Sequence, residues 1–453
     1  MVWVAELSYL AIALMFGTLL AFVSPPFQSP DESNHFYRAL DLSRGHVRAT
    51  RQVGRVGAAV DSGTVAWVSA LVADIPFHPE NKQTLANLAA NVDRPTRSAP
   101  PVFVEFPNTA LYSPIPYVPQ AIALALGRAA GLPLLGALYL ARLMNLLVTT
   151  LVCYWAVRRL PYGRLPTMLA ALSPMFLFEQ ASLSADGLTF ALAFAFCAWV
   201  LDLGASGAPL GRAQLAGLSV VGALVCLTKP SSALLPLLVL LLPTSTGARG
   251  ARHAAIILGV SWAALLLWTL AVSGLYVPPR PGIDPAAQLA YVASHPVRFA
   301  VTLWESFQVH WLGYVWSTVG VLGWLDTPLS FSHVEAFYWI VLFSGLVSLP
   351  PFAHPTWPAR ALAGAVIAGS YLLISLIMYL SWTEVGAPIV EGVQGRYFLA
   401  LTVPWAVVLQ WPAIVQRRLH PRLCLVLGGG ALLYAVVFLA HALGVMAHRY
   451  WLP

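Results

Sequence analysis

The stretch "WVAELSYLAIALMFGTLLAFVSPPFQSPDESNHFYRAL", residues 3–40, decides how the rest of the chain is read. From Trp3 to Val23 it is apolar over about the length that crosses a bilayer. Pro25, Pro26 and Pro30 then end the helix, because proline has no N–H to donate and its ring clashes with the preceding turn. No small-residue cleavage site follows, so the segment reads as a retained span. Directly behind it stand Asp31, Glu32, His35 and Arg38, four ionisable residues where the chain leaves the lipid.

Composition extends that reading to the whole chain. With 453 residues, 58% hydrophobic and only 9% charged, there is too little polar surface to coat water-soluble domains of this size. The sequence predicts an all-α polytopic membrane protein of a single domain, 1–453. The net charge of +7 does not point to nucleic acid, since no basic stripe interleaved with aromatics stands outside the apolar runs. Membrane lipid and phosphate are the partners it suits. Cys153, Cys197, Cys226 and Cys424 lack metal-ligand spacing and read as small buried hydrophobes.

Beyond the first span, apolar segments fall near 134–157, 165–182, 187–203, 213–228, 231–243, 254–273, 336–352, 361–381, 397–415 and 423–445, which predicts eleven spans. Basic residues cluster in their short connections: Arg158, Arg159 and Arg164; Arg212; Arg249 and Arg252; Arg360; Arg417, Arg418 and Arg422. By the positive-inside rule these connections are cytoplasmic, and the long segments 25–110 and 274–335 face outward. Parity then makes "YSPIPYVPQAIALALGRAAG", 112–131, an interfacial or re-entrant helix, with prolines in its first turns. In the first outer segment "VDSGTVAWVSALVADI" and "NKQTLANLAANV" predict amphipathic helices against the membrane, and in the second "HPVRFAVTLWESFQVHWL" predicts another.

Charges also occur where lipid is expected. Arg142 lies about two turns inside a span, Asp186 opens another, Lys229 sits between two short spans, and Arg396, between Gln394 and Tyr397, opens a further outward end. Asp326 stands in the second outer segment. Snorkelling anchors are spread over both faces, whereas here acids and bases converge on one face, beside Pro and Gly breaks. An outward polar pocket is therefore expected. Transfer of a sugar from a lipid phosphate suits it: a carboxylate accepts the proton of the acceptor hydroxyl, and cations hold the departing phosphate. No Walker A loop, His-Glu-x-x-His, Gly-x-Ser-x-Gly or Asp-x-Asp competes.

The ordered set "PPFQSPDESNHFYRALDLSRG", "YSPIPYVPQA", "ARLMN", "SLSADGLTF", "LTKP", "LGWLDTPLS" and "VQGRYFLA" resembles the signatures of a bacterial family of membrane proteins of unknown function. That family in turn resembles the GT-C superfamily of polyprenyl-phosphate-sugar-dependent glycosyltransferases. The resemblance runs from about residue 24 to 400 and implies a GT-C-like fold. It further implies inversion at the sugar carbon, a polyprenyl-phosphate sugar donor, and a cell-envelope glycan or lipid acceptor on the outer face of the cytoplasmic membrane. In GT-C enzymes an acid just after the first span is the catalytic base or binds metal, a position that Asp31 or Glu32 matches; Asp186 matches a second acid common near the site.

Asp31 is accordingly expected to be the base, with Glu32 supporting it, and no cofactor or one divalent cation held by the two. Arg142, Lys229 and Arg396 are expected on the donor phosphate, and His35, Arg38, Asp186, Asp326, Gln394 and Tyr397 among the substrate contacts. Capping of a helix by Asp31 is the competing structural role. Many GT-C enzymes carry a soluble outer domain at the carboxy end; this sequence stops at "MAHRYWLP", so the acceptor is expected to meet segments 25–110 and 274–335. A lipid-linked saccharide flippase is the second function considered; it predicts charges at several depths along a path.

Overall fold

A computed structural model describes residues 2–94, 100–242, 248–347, 353–411 and 421–452. Arg417 and Arg418, expected on the cytoplasmic side, lie outside the described residues, as does the side chain of Arg249. In chain order the helices are α1 (Val2–Val23), α2 (Glu32–Ser43), α3 (Ser62–Val72), α4 (Leu85–Val92), α5 (Pro107–Ala110), α6 (Val118–Ala129), α7 (Leu134–Arg159), α8 (Arg164–Ala171) and α9 (Pro174–Gln180). They continue as α10 (Asp186–Ser206), α11 (Arg212–Thr228), α12 (Ala248–Val272), α13 (Pro285–Ser294), α14 (Pro296–Val319), α15 (Phe331–Ser344), α16 (Trp357–Ser381), α17 (Thr402–Leu409) and α18 (Pro421–Tyr450).

Six of these helices, α1, α7, α10, α12, α16 and α18, are long and apolar enough to cross a membrane. The chain is a multi-spanning helical membrane protein, and these six coincide with six of the apolar segments read from sequence. The other five segments are not single long helices. Residues 165–182 break at Ser173–Pro174 into α8 and α9, since Pro174 cannot donate into the preceding turn. Around Pro230 and Pro236 the chain winds as 3-10 turns, Pro230–Ser232 and Leu235–Leu241, and Gly395–Leu401 is a further 3-10 turn ahead of α17. Helices α11 and α15 run 17 and 14 residues. Hydropathy registers apolar content, which these broken elements have, and not the continuity that prolines remove.

Residues 25–110 include structure that the sequence reading did not anticipate. Strands β1 (Thr50–Gln52), β2 (Arg55–Asp61) and β3 (Pro101–Glu105) form an antiparallel sheet in the order β1-β2-β3. The first two are joined by a tight turn at Gly54, whose φ of 71° suits a residue without Cβ. Over them lie α3 and α4, tied by Trp67 Nε1 donating to Asn91 O at 2.9 Å. Phe27, Phe36, Trp67, Leu71, Phe106 and Tyr117 make a core under this cap, separate from the larger core between the long helices. Helix α6, 12 residues and about 18 Å long, packs on α2 and α7. Residues 274–335 contain α13, α14 and a two-stranded ladder, Val321–Leu322 with Thr327–Pro328.

Candidate functional site

The proline break after α1 turns the chain so that α2 starts at the top of the bundle. Asp31 is the residue before α2, with φ 57° and ψ 14°. A non-glycine residue in this left-handed region carries a conformational cost of order 1 kcal/mol or more, and such strain clusters at functional sites. An N-cap normally adopts extended backbone, which aims its side chain back at the first amides. Asp31 does not, and makes no side-chain cap hydrogen bond. Its half-buried carboxylate has no hydrogen-bond or ion-pair partner among the described residues.

Glu32, one residue on, is fully buried against Arg142. The five N–H groups of Arg142 are all engaged. Nε and Nη2 reach the two oxygens of Glu32 at 2.8 and 2.5 Å, Nη1 donates to Ala21 O and Ser24 O, and Nη2 to Pro25 O. Leu183 N also donates to Glu32 at 3.1 Å. The pair thus clamps the freed carbonyls at the end of α1 to α7. This geometry corrects one expectation, since Arg142 has no donor left for a phosphate, and it commits the Glu32 carboxylate to Arg142 and Leu183. Among the described residues no group of three His, Cys, Asp or Glu side chains is placed to hold a metal ion.

Beside this clamp lies a cluster drawn from three stretches far apart in sequence. Glu179 ends α9, Asp186 opens α10, Lys229 follows α11, and Arg396 lies in the 3-10 turn Gly395–Leu401. Lys229 Nζ donates to Asp186 Oδ1; Arg396 Nη1 donates to Glu179 Oε1 at 2.8 Å, and its Nε stands 3.7 Å from Asp186 Oδ2. All four are buried. The approach of α9 to α10 needs Gly187, where an added Cβ would lie 3.1 Å from Gln180 Cα and 3.2 Å from Glu179 O. Several polar atoms around the cluster are buried without a hydrogen bond, among them Glu179 Oε2, Arg396 Nε and Gln394 Oε1. Such orphans normally bond to water or ligand.

Aromatic rings close the cluster. Tyr112 and Tyr397 have ring centroids 5.4 and 5.3 Å from Lys229 Nζ. His35 stacks on Tyr112 with 9° between planes, and its Nδ1 is 2.7 Å from the hydroxyl of Tyr117. Burial first, and then Lys229 and Arg396, push the pKa of His35 down to about 3, with Asp186 opposing them. At neutral pH the ring is uncharged.

The structure brings His35, Asp186, Lys229, Arg396 and Tyr397 together, with Gln394 at the edge of the same turn. Two other expected residues sit apart. Asp326 accepts from Arg449 Nη2 at 2.8 Å and from Phe77 N at 3.0 Å, fastening the outer cap to the end of α18. Arg38 donates to Val47 O at 2.7 Å and to Tyr112 O at 3.4 Å, which fixes the chain around the site. Glu179 was missed, although a lone Glu in the apolar run "SPMFLFEQASLSAD" is the kind of signal that marks a buried ion pair. Tyr112 and Tyr117 carried no such signal, since tyrosine at a membrane interface is ordinary.

An apolar groove of about 730 Å³ takes part of its lining from the 3-10 turn Gly395–Leu401 that carries Arg396. It begins at Phe398 and Leu399, runs between α14, α15, α16 and α17, and reaches Pro166 and Ala170 on α8. Residues 14–404, which hold the cluster and most of the groove, match the family model of a predicted membrane protein, DUF2142. The chain belongs to that family. No curated protein matches it. The matched region ends inside α17, so Arg449, the partner of Asp326, lies beyond it while every member of the charged cluster lies within.

Proposed function

We propose that the protein is an inverting membrane glycosyltransferase that moves a sugar from a polyprenyl-phosphate donor to a cell-envelope glycan or lipid acceptor. The observation that carries this reading is the buried cation pair Lys229 and Arg396, with Arg396 in the same 3-10 turn as two residues that line an apolar groove, in a site region that also holds Asp31, a carboxylate with no partner among the described residues. The groove takes a prenyl chain, Lys229 and Arg396 take the phosphate at its head, and Asp31 faces the acceptor. In the reaction the acceptor oxygen forms a bond to the anomeric carbon while the bond from that carbon to the phosphate oxygen breaks. Asp31 takes the hydroxyl proton, and the bonding pair leaves with the phosphate.

The charges suit this sequence of events. A donor phosphodiester carries one negative charge and the departing phosphomonoester two, so Lys229 and Arg396 bind the transition state and product more strongly than the donor. In the resting site these cations are neutralised by Asp186 and Glu179, which keeps buried charge balanced until the phosphate enters. In this reading the short elements α8 with α9, α11, the 3-10 turns around Pro236, α15, and α17 complete a GT-C-like arrangement of about eleven crossings. The site then faces outward from a bacterial cytoplasmic membrane. A flippase for a lipid-linked saccharide would distribute its charges along a path, whereas these converge on one cluster. The test is transfer of radiolabelled sugar from a panel of polyprenyl-phosphate sugars in proteoliposomes of the purified protein. Donor cleavage by the parent, slowed by roughly 10²–10⁴ in Asp31→Asn, is the expected result; no turnover of any donor would reject it.

A further inference from the structure

His35 and Tyr117 form a buried polar pair whose proton positions follow from partner counting. The Tyr117 side chain is fully buried, and His35 Nδ1, 2.7 Å away, is the only partner of its hydroxyl among the described residues. A phenol O–H that is removed from water and donates to nothing loses the full desolvation penalty of a donor. The hydroxyl therefore donates, and Nδ1 is the acceptor. A neutral imidazole carries one proton, so that proton is on Nε2. Nε2 has no protein partner among the described residues, and the ring it belongs to shares Tyr112 with Lys229.

We propose that Tyr117 is a positioning residue that holds His35 as a neutral Nε2–H donor to an anionic oxygen of the donor phosphate, and that His35 is therefore not the base. The identity of the ligand rests on the transferase reading; the tautomer does not. A neutral donor fits this place better than a third cation. Before a phosphate enters, Lys229 and Arg396 already balance Asp186 and Glu179, and a charged imidazole would add an unbalanced buried charge to the resting site. Leaving the base role to Asp31 follows, because the ring's one free lone pair is occupied by Tyr117.

The test uses the full chain in lipid nanodiscs with ¹⁵N-labelled histidine, the signal of His35 being assigned by its loss in His35→Gln. The parent is expected to show bare Nδ1 and protonated Nε2. Added geranylgeranyl phosphate is expected to shift Nε2 and leave Nδ1 in place; inorganic phosphate in a parallel sample separates recognition of the headgroup from recognition of the chain. Tyr117→Phe is expected to give a mixture of the two tautomers. A glutamine amide nitrogen reaches the position of Nε2, so His35→Gln should bind geranylgeranyl phosphate within about threefold of the parent, while His35→Ala loses about tenfold or more, the scale of one charge-assisted hydrogen bond. A proton on Nδ1 in the parent would overturn the tautomer. Binding as weak in His35→Gln as in His35→Ala, or an unmoved Nε2, would overturn the donor role, and these two results do not depend on whether Tyr117→Phe folds. Failure of the parent to bind either phosphate would instead reject the donor reading and the ligand assigned to Nε2, leaving the measured tautomer in place.

Discussion

Replacing Glu32 by Gln separates the structural carboxylate from the reactive one. Both side chains of the Glu32–Arg142 pair are inaccessible to solvent, with contacts at 2.8 and 2.5 Å and a third hydrogen bond from Leu183 N at 3.1 Å. Gln keeps the shape but removes the negative charge and one acceptor oxygen, leaving a buried guanidinium uncompensated. Breaking a buried pair in this way costs about 3–5 kcal/mol, a large part of the roughly 5–15 kcal/mol that holds a typical domain together. Adding Arg142→Met removes the stranded charge and restores part of the loss. Recovery stays incomplete because Ala21, Ser24 and Pro25 then lose the donor to their carbonyls. Asp31→Asn, at a half-buried position with no side-chain partner among the described residues, should change stability by only about 0.5 kcal/mol; asparagine tolerates left-handed backbone at least as well as aspartate. The assay is unfolding free energy in bicelles for the three variants and the parent. A Glu32→Gln protein as stable as the parent would refute the clamp.

Lys229→Met alone leaves the Asp186 carboxylate with only Arg396, 3.7 Å away, and should destabilise by less than the about 3–5 kcal/mol of a fully broken buried pair, while Lys229→Met with Asp186→Asn restores stability but not donor binding; equal binding by the double variant and the parent would remove Lys229 from the site. For His35, whose pKa falls from 6.5 to about 3 on folding, the unfolded chain binds a proton between those values that the folded chain refuses. Its stability contribution is full above pH 6.5 and is lost on acidification, by about 1.4 kcal/mol per pH unit at the steepest. Unfolding free energies from pH 7 to pH 5 should fall less in His35→Gln than in the parent, and an identical slope would contradict the buried neutral ring. Ala368→Trp, at an exposed position lining the groove, should weaken binding of long prenyl phosphates and leave inorganic phosphate unchanged; an unaltered chain-length preference would dissociate the groove from the site.

How much of this was legible in the sequence differs from residue to residue. The long helices were, because twenty apolar residues without a break have few other fates in a bilayer. The convergence of Asp186, Lys229 and Arg396 was, because each is a charge at the end of an apolar run. Pairing was not. Sequence spacing does not reveal that Arg142 aims at Glu32 across 110 positions, or that Arg396 reaches Glu179 across 217. Reading Arg142 as a phosphate ligand followed from treating it as free. The small sheet was hidden because its strands are short, at three, seven and five residues, and the third follows the other two only after α3 and α4. The breaks at Pro174 and Pro236 were visible as prolines but were weighed less than hydropathy. Asp31 and Glu32 could be told apart only by backbone: the left-handed turn at Asp31 sends two adjacent carboxylates to different environments.

The most direct test of the account is sugar transfer by Asp31→Asn in proteoliposomes, measured beside Glu32→Gln and the parent with a donor that the parent uses. Loss of a general base lowers the rate by roughly 10²–10⁴. The account predicts a loss of that size for Asp31→Asn in a protein as stable as the parent and still able to bind geranylgeranyl phosphate. Transfer at the parent rate by folded Asp31→Asn would contradict it.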